Sequence, residues 1–271
     1  MGKGWSKGLT KESDARVARY AEARSGLRYR RHSAAEGDRQ SDPVTRADTI
    51  VWTPRLAYAV GLIATDGCLL NTGRHIAFTS ADRELMETFL DCVGRPGGKY
   101  RTVLSRAGTP VHYAQFGDVR LCRWLVSIGL TQRKSLTLGA IAVPDEMFFP
   151  LVRGLLDGDG SVMIYFHAPN RRAYPTHVNE RLYVSFCSAS KAHVLWLQHE
   201  LERQLGITGA ILVRSRQRLS SNPFFNLQYA KHASIALLTE LYEDASSPRL
   251  QRKWAIWDDY RLRNLPGTLS S

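Results

Sequence analysis

The sequence predicts two copies of one α/β unit related by a pseudo-two-fold axis, and two observations carry that reading. An apolar helix running into an acid and a glycine occurs twice, as "GLIATDGCLL" from Gly61 and "GLLDGDGSVM" from Gly154. Asp66 and Asp159 fill the same slot before Gly67 and Gly160. The pieces downstream also echo one another. Phe78-Thr79-Ser80-Ala81-Asp82 matches Phe186-Cys187-Ser188-Ala189-Ser190, Ala114-Gln115-Phe116 matches Leu227-Gln228-Tyr229, and "QRKS" around Lys134 matches "QRKW" around Lys253. Solenoids and arrays have shorter periods than this, so a single duplication is indicated.

Each element follows from local pattern. Leu56, Ala59, Val60 and Ile63 recur at helical spacing, and Gly67 stands where a residue just past a helix end belongs, so a first helix ends at Asp66. "RHIAFTSA" and "YRTVLSR" read as strands, "DRELMETFLDCVG" as an amphipathic helix, "VHYAQF" as a strand and "DVRLCRWLVSIGL" as a helix closed by "TQRKS". The second half repeats the order. "FFPLVRGLLDGDG" is the apolar helix, "SVMIYF" and "RLYVSFCSA" are strands, and "SKAHVLWLQHELERQLG" is a helix. "GAILVRSRQRL" and "FFNLQYA" form a hairpin, and "ASIALLTELYED" is a closing helix before "LQRKW". The resulting boundaries are an arm over 1–50, halves over 51–143 and 144–264, and a tail over 265–271.

Composition narrows the partners. At 44% hydrophobic and 23% charged residues the chain is an ordinary globular one, yet its net charge of +12 favours a polyanionic partner, nucleic acid first. Residues 1–50 hold eleven Lys and Arg against seven acids, so +8 of the +12 belongs to the rest of the chain and the basic character is not a tail effect. Within that arm "TKESDARVARYAEARSGLRYRR" is compatible with one helix carrying Val17, Ala21 and Arg24 on a side. It serves equally as a solvated arm or as a phosphate-contacting extension. No run approaches the roughly 20 apolar residues of a membrane helix, and "MGKGWSKGLT" lacks the apolar core of a signal peptide. The expectation is a soluble, cytoplasmic chain of bacterial or phage type that makes no membrane contact, an organellar one being the alternative. Cys68, Cys92, Cys122 and Cys187 form no CxxC pair and are expected to be core thiols.

A pseudo-two-fold axis lets the two apolar helices meet. Ala57, Gly61, Gly154 and Gly158 supply small side chains where backbones approach, while Leu62, Ile63, Leu155 and Leu156 bury into each half's own core. Asp66 and Asp159 are then neighbours. Two carboxylates at two helix C-termini repel each other and the helix ends, and a divalent cation relieves that strain. Mg²⁺ bound by carboxylate and carbonyl oxygens keeps waters that a phosphate replaces, which on a basic protein points to phosphodiester hydrolysis. A single Asp-Gly pair is an ordinary helix stop; two in matched contexts are not.

"AVGLIATDG" (59–67) and "VRGLLDGDG" (152–160) resemble the nine-residue signature of the LAGLIDADG homing endonucleases, and two copies in one chain resemble the family's single-chain branch. The similarity runs from about residue 52 to 262. It implies an α+β fold of two αββαββα halves, with the motif helices at the interface and two saddle-shaped antiparallel sheets facing DNA. It also implies a staggered double-strand cut at a long, pseudo-palindromic or asymmetric site by a monomer. Two or three Mg²⁺ ions would take part; Mn²⁺ would substitute, and Ca²⁺ would bind without supporting cleavage. Carried over by position, the metal-binding acids are Asp66 and Asp159, and the backbone carbonyls of Thr65 and Gly158 assist. The family's basic residues near the active site point to Lys134 and Lys253. Motif one departs from the consensus with Ala64 where Asp157 stands in motif two, a slot that is not the essential acid.

Ser80 and Ser188 end matched strands, either facing the metal's waters or closing strand-end hydrogen bonds. Strand alternation places Arg214, Arg216 and Arg218 on one face, and likewise Lys99 and Arg101, both read as DNA contacts or as charged edge protection. Arg171 and Arg172 lie in "HAPNRRAYPTHVNER", an insertion of the second half that extends the footprint or stays a free loop. A non-cleaving DNA-binding regulator or an RNA maturase on the same fold is the alternative to a nuclease.

Overall fold

The computed structural model describes residues 50–105, 107–167, 179–214 and 223–265. The arm helix proposed around Val17, and Arg171, Arg172, Arg216 and Arg218, lie outside the described residues, as do the side chains of His167, Asn179 and Arg214. The first half contains α1 (Pro54–Thr65), β1 (Gly67–Leu69), β2 (His75–Ser80), α2 (Arg83–Cys92), β3 (Arg101–Leu104), β4 (Pro110–Gly117) and α3 (Val119–Ser127), then a 3₁₀ turn over Lys134–Leu136. The second contains α4 (Asp145–Asp157), β5 (Ser161–His167), β6 (Asn179–Ser188), α5 (Lys191–Leu205), β7 (Ala210–Arg214), β8 (Phe224–Tyr229) and α6 (Lys231–Leu241), followed by α7 (Gln251–Asn264).

Both sheets are antiparallel with the same strand order, β1-β2-β4-β3 and β5-β6-β8-β7. The registers coincide at the echoed residues. Phe78 faces Ala114 across β2 and β4, and Phe186 faces Leu227 across β6 and β8. These four are buried, so the repetition seen in the text is a repetition of core positions. The inner face of the first sheet packs on α2 and α3, with Phe78 stacked on Phe89 at a ring separation of 4.1 Å. The second sheet's inner face, including Leu182, Val184 and Tyr229, joins the same core as Val194 and Leu197 of α5 and Leu237 and Leu238 of α6.

The motif helices bring the halves together. Thr53 caps α1, its hydroxyl accepting from the Leu56 amide at 3.1 Å, and Pro54 occupies the first helical position, where a missing N–H costs nothing. In α4, Asp145 and Glu146 sit in the first turn, favourable for the helix dipole. Eight consecutive residues of α1, Ala57 to Ala64, are buried, because the helix is covered on one side by its own half and on the other by α4. Glycine permits that contact. A Cβ on Gly61 would lie 2.3 Å from the Leu151 carbonyl oxygen, and one on Gly154 would lie 2.1 Å from that of Tyr58. Leu62, Ile63, Leu155 and Leu156 are buried as the duplicated pattern predicts.

Gly67 follows the Asp66 cap of α1, as the sequence predicts, and does so without a positive φ; it opens β1, and a Cβ there would stand 2.6 Å from the Ile63 Cα. Gly160 meets the same restriction at 2.7 Å from the Leu156 Cα. The motif's last glycine is therefore fixed by the chain folding back onto its own helix. Among the cysteines, Cys92 and Cys122 are buried, Cys187 is partly so, and Cys68 is exposed, so not all four are core thiols.

Candidate metal and nucleic-acid site

Asp66 is the C-terminal cap of α1, and Asp159 follows the Gly158 cap of α4. The ends of the two helices touch. A Cβ on Gly158 would lie 2.0 Å from Thr65 Oγ1 and 3.0 Å from Asp66 Oδ2, so only glycine lets the second motif close over the first. Burial, and after it the charge of Asp159, push the Asp66 carboxyl up to about 6, against the opposing pull of Lys253 and Lys134. Asp159 is open to solvent at the cleft, yet the protein packed behind it also raises its pKa against the pull of the same two lysines. Two carboxylates share a site whose cations do not fully neutralise them.

Lys134 and Lys253 are buried and reach in from opposite halves, Lys134 from the 3₁₀ turn and Lys253 from the first turn of α7. Their surroundings differ. Lys134 Nζ donates to the Gly67 carbonyl at 2.5 Å. Lys253 Nζ lies among four carbonyls, those of Leu156 (2.7 Å), Asp157 (2.9 Å), Gly158 (3.2 Å) and Gly160 (2.7 Å). An ammonium has three donors, so Lys253 is fully occupied in capping the end of α4, where a cation also suits the helix dipole. Burial lowers the Lys253 pKa to about 8 and that of Lys134 in the same direction.

Asp157 explains why the motifs differ at this slot. It is buried, accepts from the Tyr58 hydroxyl at 2.8 Å across the helix interface, and accepts from the Leu250 amide at 2.7 Å at the start of α7. It thereby fixes the helix that delivers Lys253. The first half, whose lysine rides on a 3₁₀ turn, has no matching helix to anchor and carries Ala64. Ser80 and Ser188 accept from the amides of Asp82 and Ser190 at 3.0 and 3.1 Å, so in both halves the strand-end hydrogen bond is present.

A cavity of about 360 Å³ beside Asp66 is lined by residues that include Ser80, Asp82, Val111, Gly158 and Arg252. Arg252 grips Asp82 through Nε at 3.1 Å and Nη2 at 2.9 Å, joining the second half to the first. The sequence reading missed this pair, although Arg252 stands in the repeated "QRK". Lys99 and Arg101 do not share a strand, since β3 begins at Arg101; both instead line a groove with Tyr100, Tyr113 and Gln115. Arg214 ends β7, its backbone paired with Phe224. Arg181 of β6 is exposed on the same sheet face as Tyr165.

The donor set fits a hard divalent cation. Asp66 and Asp159 carry carboxylate oxygens, the hard donors such an ion takes, while the Gly158 carbonyl already accepts from Lys253 Nζ at 3.2 Å; among the described residues no group of three or more His, Cys, Asp or Glu is placed to hold a metal ion. Among the described residues no helix is long and apolar enough to cross a membrane.

No family model matches the chain, and no curated protein matches it. Solved structures do. The meganuclease I-SmaMI bound to uncleaveable DNA is 13% identical, covering 79% of this chain and 91% of that chain with a TM-score of 0.51. The I-LtrWI LAGLIDADG homing endonuclease bound to target DNA is 12% identical over 78% of this chain and 89% of its own, with a TM-score of 0.48. Full-length DUF199/WhiA from Thermatoga maritima is 11% identical over 82% of this chain, with a TM-score of 0.46, and the match spans 65% of its length. With two duplicated halves, identical sheet orders and motif helices in backbone contact, the chain has the LAGLIDADG fold.

Proposed function

We propose that the chain is a divalent-metal-dependent, site-specific DNA endonuclease that makes a staggered double-strand cut and acts as a monomer. The observation that carries this is the convergence of Asp66 and Asp159 at the joined ends of two glycine-packed helices, on a chain of net charge +12. I-SmaMI, whose fold this chain shares, was solved on DNA, which supports double-stranded DNA as the partner. Asp66 and Asp159 would hold Mg²⁺ with the Thr65 and Gly158 carbonyls. When bound, the ion supplies Lewis-acid stabilisation of the scissile phosphate and eases deprotonation of water. Water adds to phosphorus as the phosphodiester P–O bond breaks, and the departing oxygen leaves protonated. Lys134 would stabilise the charge that grows on the phosphate, and Lys253 holds the backbone that carries Asp159.

Incubation with a randomised double-stranded library and Mg²⁺ is expected to yield staggered cuts at one long site. Selection of a site without cutting would leave a DNA-binding regulator, and neither outcome would point to an RNA-directed role.

A pH dependence follows from the same geometry. The folded state holds the Asp66 proton up to about pH 6, whereas the ordinary value is 3.8, so without metal stability falls as pH rises through that window. A cation requires the ionised form, so its affinity falls as pH drops below about 6, by up to tenfold per unit for each carboxyl protonated. Calorimetric titration with Ca²⁺ at about pH 7.5 and about pH 5 checks this; equal affinities would contradict it.

A further inference from the structure

On the outer face of the first sheet three side chains are assembled before any ligand arrives. Arg101 of β3 stands directly opposite Tyr113 of β4, with its guanidinium over the Tyr113 ring, 5.0 Å from the centroid. The Tyr113 hydroxyl donates to Gln115 Oε1 at 2.6 Å. Alternation along β4 puts Tyr113 and Gln115 on one face, while Ala114 between them is buried in the core. Lys99 and Tyr100 complete a groove of about 360 Å³. Arg101 is exposed and makes no ion pair among the described residues, so its guanidinium keeps its donors for something outside the chain.

We infer that Arg101 and Gln115 read two bases of the first half-site, Arg101 a guanine and Gln115 an adenine, with Tyr113 as the brace that orients both. This rests on the proposed reading of DNA. A guanidinium carries its N–H donors on its edge, and the fork they form matches the O6 and N7 acceptors of guanine in the major groove. The tyrosine hydroxyl fixes which way the Gln115 amide faces. One Oε1 lone pair and the NH₂ group remain, the acceptor and donor that adenine N6 and N7 require. A phosphate takes only the N–H donors of an amide and leaves its oxygen unused, whereas adenine takes both a donor and an acceptor, so an amide with both free beside the arginine suits a base edge; Lys99 is the phosphate contact of this group.

The spacing agrees. Arg101 is level with Tyr113, and Gln115 lies two residues further on, about 7 Å at the rise of an antiparallel strand. Stacked bases are about 3.4 Å apart, so a strand following the groove places the guanine and the adenine two base-pair steps apart.

The test is selection of bound sequences from a randomised double-stranded DNA library by the full chain in Ca²⁺, comparing wild type with Arg101→Lys, Gln115→Ala and Tyr113→Phe. All three positions face out of the core, and a thermal melt of each variant confirms its fold. The wild-type site is expected to contain a guanine and an adenine two steps apart. Arg101→Lys keeps the charge but loses the fork, so it should lose the guanine preference by about 5- to 150-fold while retaining most of the affinity for unselected DNA. Gln115→Ala should relax only the adenine position by a similar factor, and Tyr113→Phe should weaken the adenine preference more than the guanine preference. Base preferences unchanged in all three variants, or lowered evenly across all sequences, would overturn the inference and make these residues phosphate contacts. Failure of the wild type to bind double-stranded DNA would overturn the underlying reading as well.

Discussion

Gly154→Ala is expected to lower the stability of the chain by about 3 kcal/mol, the upper end of what overpacking a core costs. The added methyl would fall 2.1 Å from the Tyr58 carbonyl oxygen and 3.1 Å from the Gly61 Cα. All of these are backbone atoms, so no side-chain rotation makes room, and α1 and α4 must move apart. For a domain of this size that corresponds to a melting temperature lower by roughly 6–12 °C. Gly61→Ala should behave alike, with its methyl 2.3 Å from the Leu151 carbonyl oxygen. The double variant should cost less than the sum, because one separation of the helices relieves both clashes. Gly139→Ala, where a Cβ meets nothing within 4 Å, is the control. A thermal melt of Gly154→Ala that overlays the wild type would show that the helices do not meet in this way.

The second large effect separates the two lysines. Lys253→Met removes the cation that lies among four carbonyls, those of Leu156, Asp157, Gly158 and Gly160, and takes from Asp157 a positive charge that favours its ionised form. Loss of one member of so buried a cluster costs roughly 3–5 kcal/mol, so this variant should fail first in folding. Lys134→Met releases a single carbonyl, that of Gly67, at a cost of about 1–3 kcal/mol. Its main effect should be on cleavage, a drop of roughly 10²–10³ in rate as the phosphate loses a fixed positive charge. Chemical denaturation together with single-turnover cleavage reads both quantities. Equal stability losses in the two variants would contradict the assignment.

These expectations show which features the sequence could disclose. The doubling was legible because both halves use the same core positions: Phe78 and Phe186 occupy equivalent places in their sheets and are paired with Ala114 and Leu227. The acid pair was legible because each acid falls at the same step after an apolar helix. The role of the glycine after each acid was not, because an ordinary helix stop and a close return of the chain look alike in one dimension; only the distance from a Gly67 Cβ to the Ile63 Cα separates them. The lysines were found by their repeated "QRK" context, but their inequality was hidden, since the carbonyls around Lys253 belong to backbone about a hundred residues away and carry no side-chain signature. Asp157 similarly spends its carboxylate on Tyr58 and Leu250, partners far off in the chain. The pairing of Arg101 with Tyr113 depends on strand register, which the text of β3 alone does not fix.

The most direct measurement of the central claim uses the DNA site selected by the wild-type chain, with Asp66→Asn and Asp159→Asn tested one at a time. Each variant should bind the site in Ca²⁺-free buffer about as well as the wild type, and each should lose Mg²⁺-dependent double-strand cutting. Undiminished double-strand cutting by either variant would contradict a reaction centred on the paired acids.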